Sequence, residues 1–235
     1  MDIQLNAKIQ NPRIILGFPG FGLVGSIAVE FLIDHLTTEK VGRMLVPEMP
    51  AMVAIHQKKV IDAISLYHDK QDNLLFVHGI NAPRGLEWEA ASQVEKLAVQ
   101  VKAKEVISLE GVGSGDPKGQ PQAYFHATDE KTASQLAGMG IKPLEEGIII
   151  GLSAALLSTR DLPITCLFAE TASELPDSKA AAEIIKVLDR YLGLEVDYKP
   201  LLVQAQKFEQ KLKGLLSQSQ KAQEMSEKKW MSYVG

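Results

Sequence analysis

The stretch Arg13-Ile-Ile-Leu-Gly-Phe-Pro-Gly-Phe-Gly-Leu-Val-Gly-Ser26 decides how the rest of the chain is read. Its apolar run, Ile14 to Leu16, has the character of a buried strand, and Leu23, Ile27, Ala28, Phe31 and Leu32 follow at helical spacing. Between them lies a loop carrying Gly17, Gly20, Gly22 and Gly25, the last three satisfying G-x-G-x-x-G between a strand and a helix. Such a turn gathers backbone N–H groups at a helix N-terminus, where an anion is favoured. Two departures argue against a dinucleotide site. Pro19 fixes φ and removes a donor where the turn should tighten. The acid that should hold a ribose hydroxyl about 20 residues on has only Glu48 as a candidate, in the proline-bounded Val46-Pro-Glu-Met-Pro50. The four glycines are therefore expected to be structural, serving a tight turn and close helix–strand packing, with no cofactor.

The chain's 235 residues suit one large domain, or one domain plus an appendage, and a hydrophobic fraction of 46% supplies an ordinary core. A net charge of −4 gives no footprint for nucleic acid, which needs clustered Lys and Arg. The N-terminal residues lack the basic-then-apolar order of a signal peptide, and no apolar run is long enough for a membrane span. The single Cys166, in an apolar run, reads as a core residue of a protein in a reducing, cytoplasmic setting.

Strands are expected at Val41 to Val46, Met52 to His56, Val60 to Tyr67 and Leu74 to Ile80, with short polar links that suit antiparallel neighbours. From Gly85 the pattern turns helical, with Trp88, Ala91, Val94, Leu97, Ala98 and Val101 on one face. Strand Val106 to Leu109, an extended segment at Ala123 to Ala127 and a helix from Asp129 to about Met139, capped by Asp129, come next. Gly147 to Ile150 reads as a strand running into a helix, followed by strand Ile164 to Ala169 and helix Asp177 to Leu192. This alternation predicts an α/β fold, a three-layer α/β/α sandwich with a mixed, mostly parallel sheet, over residues 1–197. Residues 198–235 read as a helical arm with a flexible C-terminal tail. Leu201, Ala205, Phe208, Leu212 and Leu215 alternate at steps of four and three, the spacing of a coiled-coil seam. Leu201, Phe208, Leu212 and Leu215 are the expected contacts of a homo-oligomer.

In a parallel sheet, ligands bind beyond the carboxyl ends of the strands. Those ends carry Phe18 to Gly20, Asn81, Glu110, Gly151 to Ser153 and Glu170, so two carboxylates could share a rim with glycines and hydroxyls. Either Glu could act as a general base if burial raised its pKa. Gly151-Leu-Ser153-Ala-Ala155 imitates the G-x-S-x-G nucleophile elbow but has Ala155 in place of the second glycine. None of the five histidines forms a helical zinc pair; His56, His68 and His78 could only meet across a meander, and no metal is expected.

Taken together, several of these segments are similar to the proteasome assembly chaperone family in its archaeal-type, single-domain branch. They are Gly17 to Ser26, Glu48-Met-Pro50, Glu110-Gly-Val-Gly113, Gly147 to Leu157, Leu167-Phe-Ala-Glu-Thr171 with Leu175-Pro-Asp177 and Ala180-Ala-Ala182, and Leu192 to Asp197. The resemblance covers about residues 13–197. It implies an α/β/α sandwich related to phosphorylase/hydrolase-like folds, used as a scaffold with no established catalytic residues. It also implies oligomers that engage α-type subunits of the proteasome core particle, in some members through a C-terminal hydrophobic–Tyr–any tripeptide. Here the chain ends Trp230-Met-Ser-Tyr-Val-Gly235, one residue out of step with that tripeptide. Trp230, Met231, Tyr233 and Val234 are the expected partner-binding residues. The function expected is that of a non-catalytic chaperone scaffold; the competing readings are a small-molecule enzyme at the rim of Gly20, Glu110 and Glu170, and an adaptor for another client.

Overall fold

Alternation along each central strand sorts apolar side chains onto two faces, and each face has its own helices. The computed structural model describes residues 3–56, 58–113, 120–159, 162–171 and 175–203, with 211, 214, 217 and 218 beyond them. In chain order the elements are β1 (Ile3–Leu5), β2 (Arg13–Gly17), α1 (Val24–His35), β3 (Thr38–Met44), β4 (Val53–His56), β5 (Lys59–Asp62), β6 (Ile64–Asp69) and β7 (Leu74–Gly79). They continue as α2 (Glu87–Val101), β8 (Glu105–Gly113), β9 (Ala123–Ala127), α3 (Glu130–Gly138), β10 (Lys142–Pro143), α4 (Leu152–Ser158), β11 (Ile164–Thr171) and α5 (Ser178–Leu192).

Ile15, Phe76, Ile107, Leu109 and Leu167 point to one side, where α1, α5 and Leu136 of α3 bury them. Ile14, Leu16, Leu75, Val77, Val106, Cys166 and Phe168 point to the other, beneath α2 and α4. Two helical layers on one sheet make the expected three-layer α/β sandwich. The nine-stranded sheet has the order β1-β3-β6-β7-β2-β8-β11-β9-β10. Its centre, β7-β2-β8-β11, is parallel, as is the pairing of β9 with β10, while β1-β3-β6-β7 and β11-β9 pair antiparallel. Link length explains the division. The turn from Asp69 to Leu74, closed by the Asp72 N–H donating to Asp69 Oδ2 at 2.8 Å, returns the chain beside itself, whereas parallel neighbours need helical crossovers.

Helix ends follow local chemistry. Asp129 caps α3 by accepting from the Thr132 N–H at 2.8 Å. Asp177 caps α5 by accepting from the Lys179 and Ala180 N–H groups, both at 3.0 Å, and α5 ends at Gly193 with φ +71°.

Two expected strands differ. The run Val60 to Tyr67 is two strands broken at Ala63, and β5 leaves the main sheet to pair with β4 in a separate hairpin. Gly147 to Ile150 is irregular, with Ile148 94% and Ile150 78% exposed. A short apolar run without alternation carries no reliable period. Here the central strands β8 and β11 are already paired on both sides, and Gly151, at φ +85°, turns the chain straight into α4.

Of the predicted seam, Leu201 is fully buried in the core beneath α1 and α5 rather than free for a second copy. Phe208, Leu212 and Leu215 lie outside the described residues. Further along the arm, Lys211 Nζ pairs with Glu30 Oε1 of α1, and His78 Nε2 of β7 lies 3.5 Å from Glu30 Oε2. Burial disfavours the charged form of both partners in the core. It drives His78 towards its neutral form, while Lys211, with His78 adding to it only when protonated, holds the Glu30 carboxyl below its ordinary range. With His78 neutral, Lys211 supplies the cation that Glu30 needs near neutral pH. Lys211→Met should therefore lower stability by about 1–2 kcal/mol, less than for a fully buried pair because Lys211 keeps contact with water. Urea denaturation near pH 7 would measure it. The loss should shrink as pH falls through the depressed Glu30 pKa, since a protonated Glu30 no longer needs a cation.

Candidate functional site

The glycine turn packs directly on the carboxyl ends of β8 and β11. A Cβ added at Gly17 would lie 2.5 Å from Val29 Cβ, and one at Gly25 would fall on the carbonyl oxygen of Leu109. Gly22 adopts φ +63°, and a Cβ there would sit 2.8 Å from both Cγ2 and Oγ1 of Thr171. The Asp177 N–H donates to Gly22 O at 2.9 Å, and Thr171 Oγ1 donates to Asp177 Oδ2 at 2.8 Å, tying the turn to the start of α5. Gly20 differs from the other three. Among the described residues, its neighbour within 4 Å of an ideal Cβ is Glu110 Oε2, at 3.9 Å. Glu48 is exposed in the turn after β3, and β3 is separated from β2 by β6 and β7, so Glu48 does not stand where a dinucleotide's ribose would need an acid.

Glu110 projects from β8 on the α2/α4 side, directly opposite Phe168 of β11 in the ladder. Ser153 Oγ, at the start of α4, donates to Glu110 Oε1. Ser153 is also 2.7 Å, Oγ to Oγ, from Ser108 two residues earlier on β8. Both serines are buried, while Glu110 keeps partial contact with solvent. Burial pushes the Glu110 carboxyl up to about 7, against the lowering effect of the Ser153 hydrogen bond. Burial together with the nearby Glu110 charge pushes the Cys166 thiol up to about 12, so it stays an unreactive thiol. Ser153 does not fit a nucleophile elbow either: an elbow serine is presented to substrate, and this one is fully buried with its hydroxyl committed to Glu110.

The expected rim is thus assembled in part. Gly20, Glu110 and Ser153 meet, but Glu170 is drawn one strand aside, where Tyr124 Oη donates to its Oε1 at 3.2 Å. Asn81 follows β7 at the same end of the sheet, buried, with Nδ2 unpartnered among the described residues. Two members were missed from sequence. Ser108 looked like an ordinary strand residue, and Gly79 is the position over which the Phe18 ring lies, since a Cβ there would collide with that ring. Both depend on a register that a single strand does not reveal. His68 Nε2 lies 3.1 Å from Asn73 Oδ1, whereas His78 lies 3.5 Å from Glu30, on which His56 also acts, so the meander sets His68 apart from the other two. Among the described residues, no group of three or more His, Cys, Asp or Glu is placed to hold a metal ion, and no helix is long and apolar enough to cross a membrane. Trp230, Met231, Tyr233 and Val234 lie outside the described residues.

A parallel-centred sheet between helical layers, entered through this glycine turn, defines the class, and the chain belongs to the PAC2 family, whose sequence pattern matches residues 14–216. Among solved structures it is similar to Pyrococcus furiosus PbaA, described as an archaeal homolog of proteasome-assembly chaperone. The TM-score is 0.84 at 31% identity, covering 94% of this chain and 99% of that one. Pyrococcus furiosus PbaB, described as an archaeal proteasome activator, matches with a TM-score of 0.74 at 25% identity, covering 91% of this chain and 96% of that one. An uncharacterized protein of Methanocaldococcus jannaschii is 26% identical over 97% of this chain and 94% of its own length.

Proposed function

We propose that this protein is a non-catalytic, oligomeric scaffold of the proteasome-assembly-chaperone type that binds α-type subunits of the proteasome core particle. The observation that carries the reading is the match to PbaA, which spans nearly the whole of both chains at 31% identity. The similarity to PbaB, a proteasome activator by its description, supports a proteasome-directed role. In this reading residues 1–197 form the body, and the arm from 198 carries the client contact.

The arm supplies reach, and the terminal Trp230, Met231, Tyr233 and Val234 supply the anchor, a Tyr being able to bury its ring while its hydroxyl finds a partner. Deleting residues 230–235 should weaken capture of purified α-type subunits at least tenfold, about 1.4 kcal/mol, with the melting temperature unchanged. Deleting Ser232 and Gly235 together leaves Met-Tyr-Val at the terminus, in step with the hydrophobic–Tyr–any tripeptide, and should tighten binding. Light scattering on the same samples reads the oligomer. Equal capture by the intact, shortened and realigned chains would move the interface to the α/β body; no capture by any of them would refute the reading.

A further inference from the structure

We propose that the crevice between the carboxyl ends of β2 and β8 is a binding site for a small neutral ligand bearing an amide or ureido group, which the Glu110 carboxyl engages over Gly20. This goes beyond the scaffold reading and does not depend on it.

The topology locates the crevice. From β2 the chain leaves through α1 towards β3, β6 and β7 on one side of the sheet, and from β8 it leaves towards β9 and β11 on the other. Neighbouring parallel strands whose connections depart in opposite directions leave a gap beyond their carboxyl ends, which is where open α/β sheets bind ligands. Gly20 follows β2 and Glu110 lies on β8, so these two residues flank that gap.

Gly17, Gly22 and Gly25 each have a steric or conformational reason to be glycine, but Gly20 has neither. Its φ of −138° and ψ of −161° are open to any residue, and among the described residues a Cβ there would meet nothing closer than Glu110 Oε2. What a side chain would do is stand in front of that oxygen. The carboxyl itself is oriented from behind: Ser153, braced by Ser108, donates to Oε1, and Oε2 is the oxygen that lies on the Gly20 side. Asn81 adds a buried amide Nδ2 without a partner among the described residues, beyond the end of β7, two ladder spacings or roughly 10 Å across from β8.

The chemistry selects the ligand. A carboxyl that titrates near neutrality offers an O–H donor in one state and a carboxylate acceptor in the other. An amide or ureido group answers both, its carbonyl accepting from the acid and its N–H donating to the carboxylate. A phosphate or carboxylate ligand would face the ionised Glu110 with like charge.

Thermal denaturation of the full chain with added hydantoin, 2-pyrrolidinone, an acetylated dipeptide amide or inorganic phosphate tests this. Hydantoin or 2-pyrrolidinone should raise the melting temperature in a concentration-dependent way, and phosphate should not. Gly20→Leu should weaken the apparent affinity at least tenfold while leaving the ligand-free melting temperature nearly unchanged. Glu110→Gln, which keeps an acceptor for Ser153 but fixes one hydrogen-bonding state, should weaken it less. A rise with the dipeptide amide alone would support the site and assign its ligand to a peptide. No rise with any amide probe, or an equal rise in Gly20→Leu, would overturn the proposal.

Discussion

Glu110→Gln is expected to stabilise the folded protein by as much as about 3 kcal/mol at about pH 8 and to leave it nearly unchanged at about pH 4. The size follows from a carboxyl whose folded pKa is raised from 4.5 to about 7, at about 1.4 kcal/mol for each pH unit. The sign follows from proton binding. Below about pH 4.5 the carboxyl is protonated in both folded and unfolded chains and adds nothing. Between there and about pH 7 the unfolded chain ionises while the folded one does not, so stability falls as pH rises and then levels off. Gln removes the ionisation but can still accept from Ser153. Urea denaturation of both proteins from about pH 4 to pH 8 would give the difference curve, in which other groups cancel. Glu30, whose pKa is depressed, works in the opposite direction and loses stability as pH falls; it is common to both proteins. A flat difference curve would mean that Glu110 ionises in the folded protein as readily as in water.

Gly25→Ala should cost about 3 kcal/mol or more, because overpacking a closed core forces backbone to move. Its new Cβ would fall on the carbonyl oxygen of Leu109, in the middle of β8, and backbone in a paired strand cannot rotate aside as a side chain can. Gly20→Ala, five residues earlier, should change stability by no more than about 0.5 kcal/mol, since among the described residues its Cβ meets nothing closer than 3.9 Å. Chemical denaturation midpoints of the two variants compare them directly. Equal losses would show that the turn's cost is conformational; the large difference expected here would show that it is contact with β8.

Much of the frame was legible along the chain. The β2–turn–α1 unit, the Asp129 cap and the helix ending at Leu192 all follow from neighbours within a few residues. Period and capping are local properties, so the α/β class could be read without the tertiary structure. Elements without a local signature were read less well. The break at Ala63 and the irregular Gly147 to Ile150 segment were decided by which strand edges were free to pair.

The sequence by itself determined that a strand enters a helix through a glycine turn, that strands and helices alternate into an α/β sandwich, and that Glu110 and Ser153 sit near the ends of their elements. Only the tertiary structure decided what these residues do to one another. Gly17, Gly25 and Gly22 press on Val29, Leu109 and Thr171, which lie 12, 84 and 149 positions away along the chain. Ser153 reaches Glu110 across 43 positions, and Lys211 returns to Glu30 across 181. Hydrogen bonds and desolvation depend on distance in space, and that distance is set when the sheet order brings β2, β8 and β11 side by side.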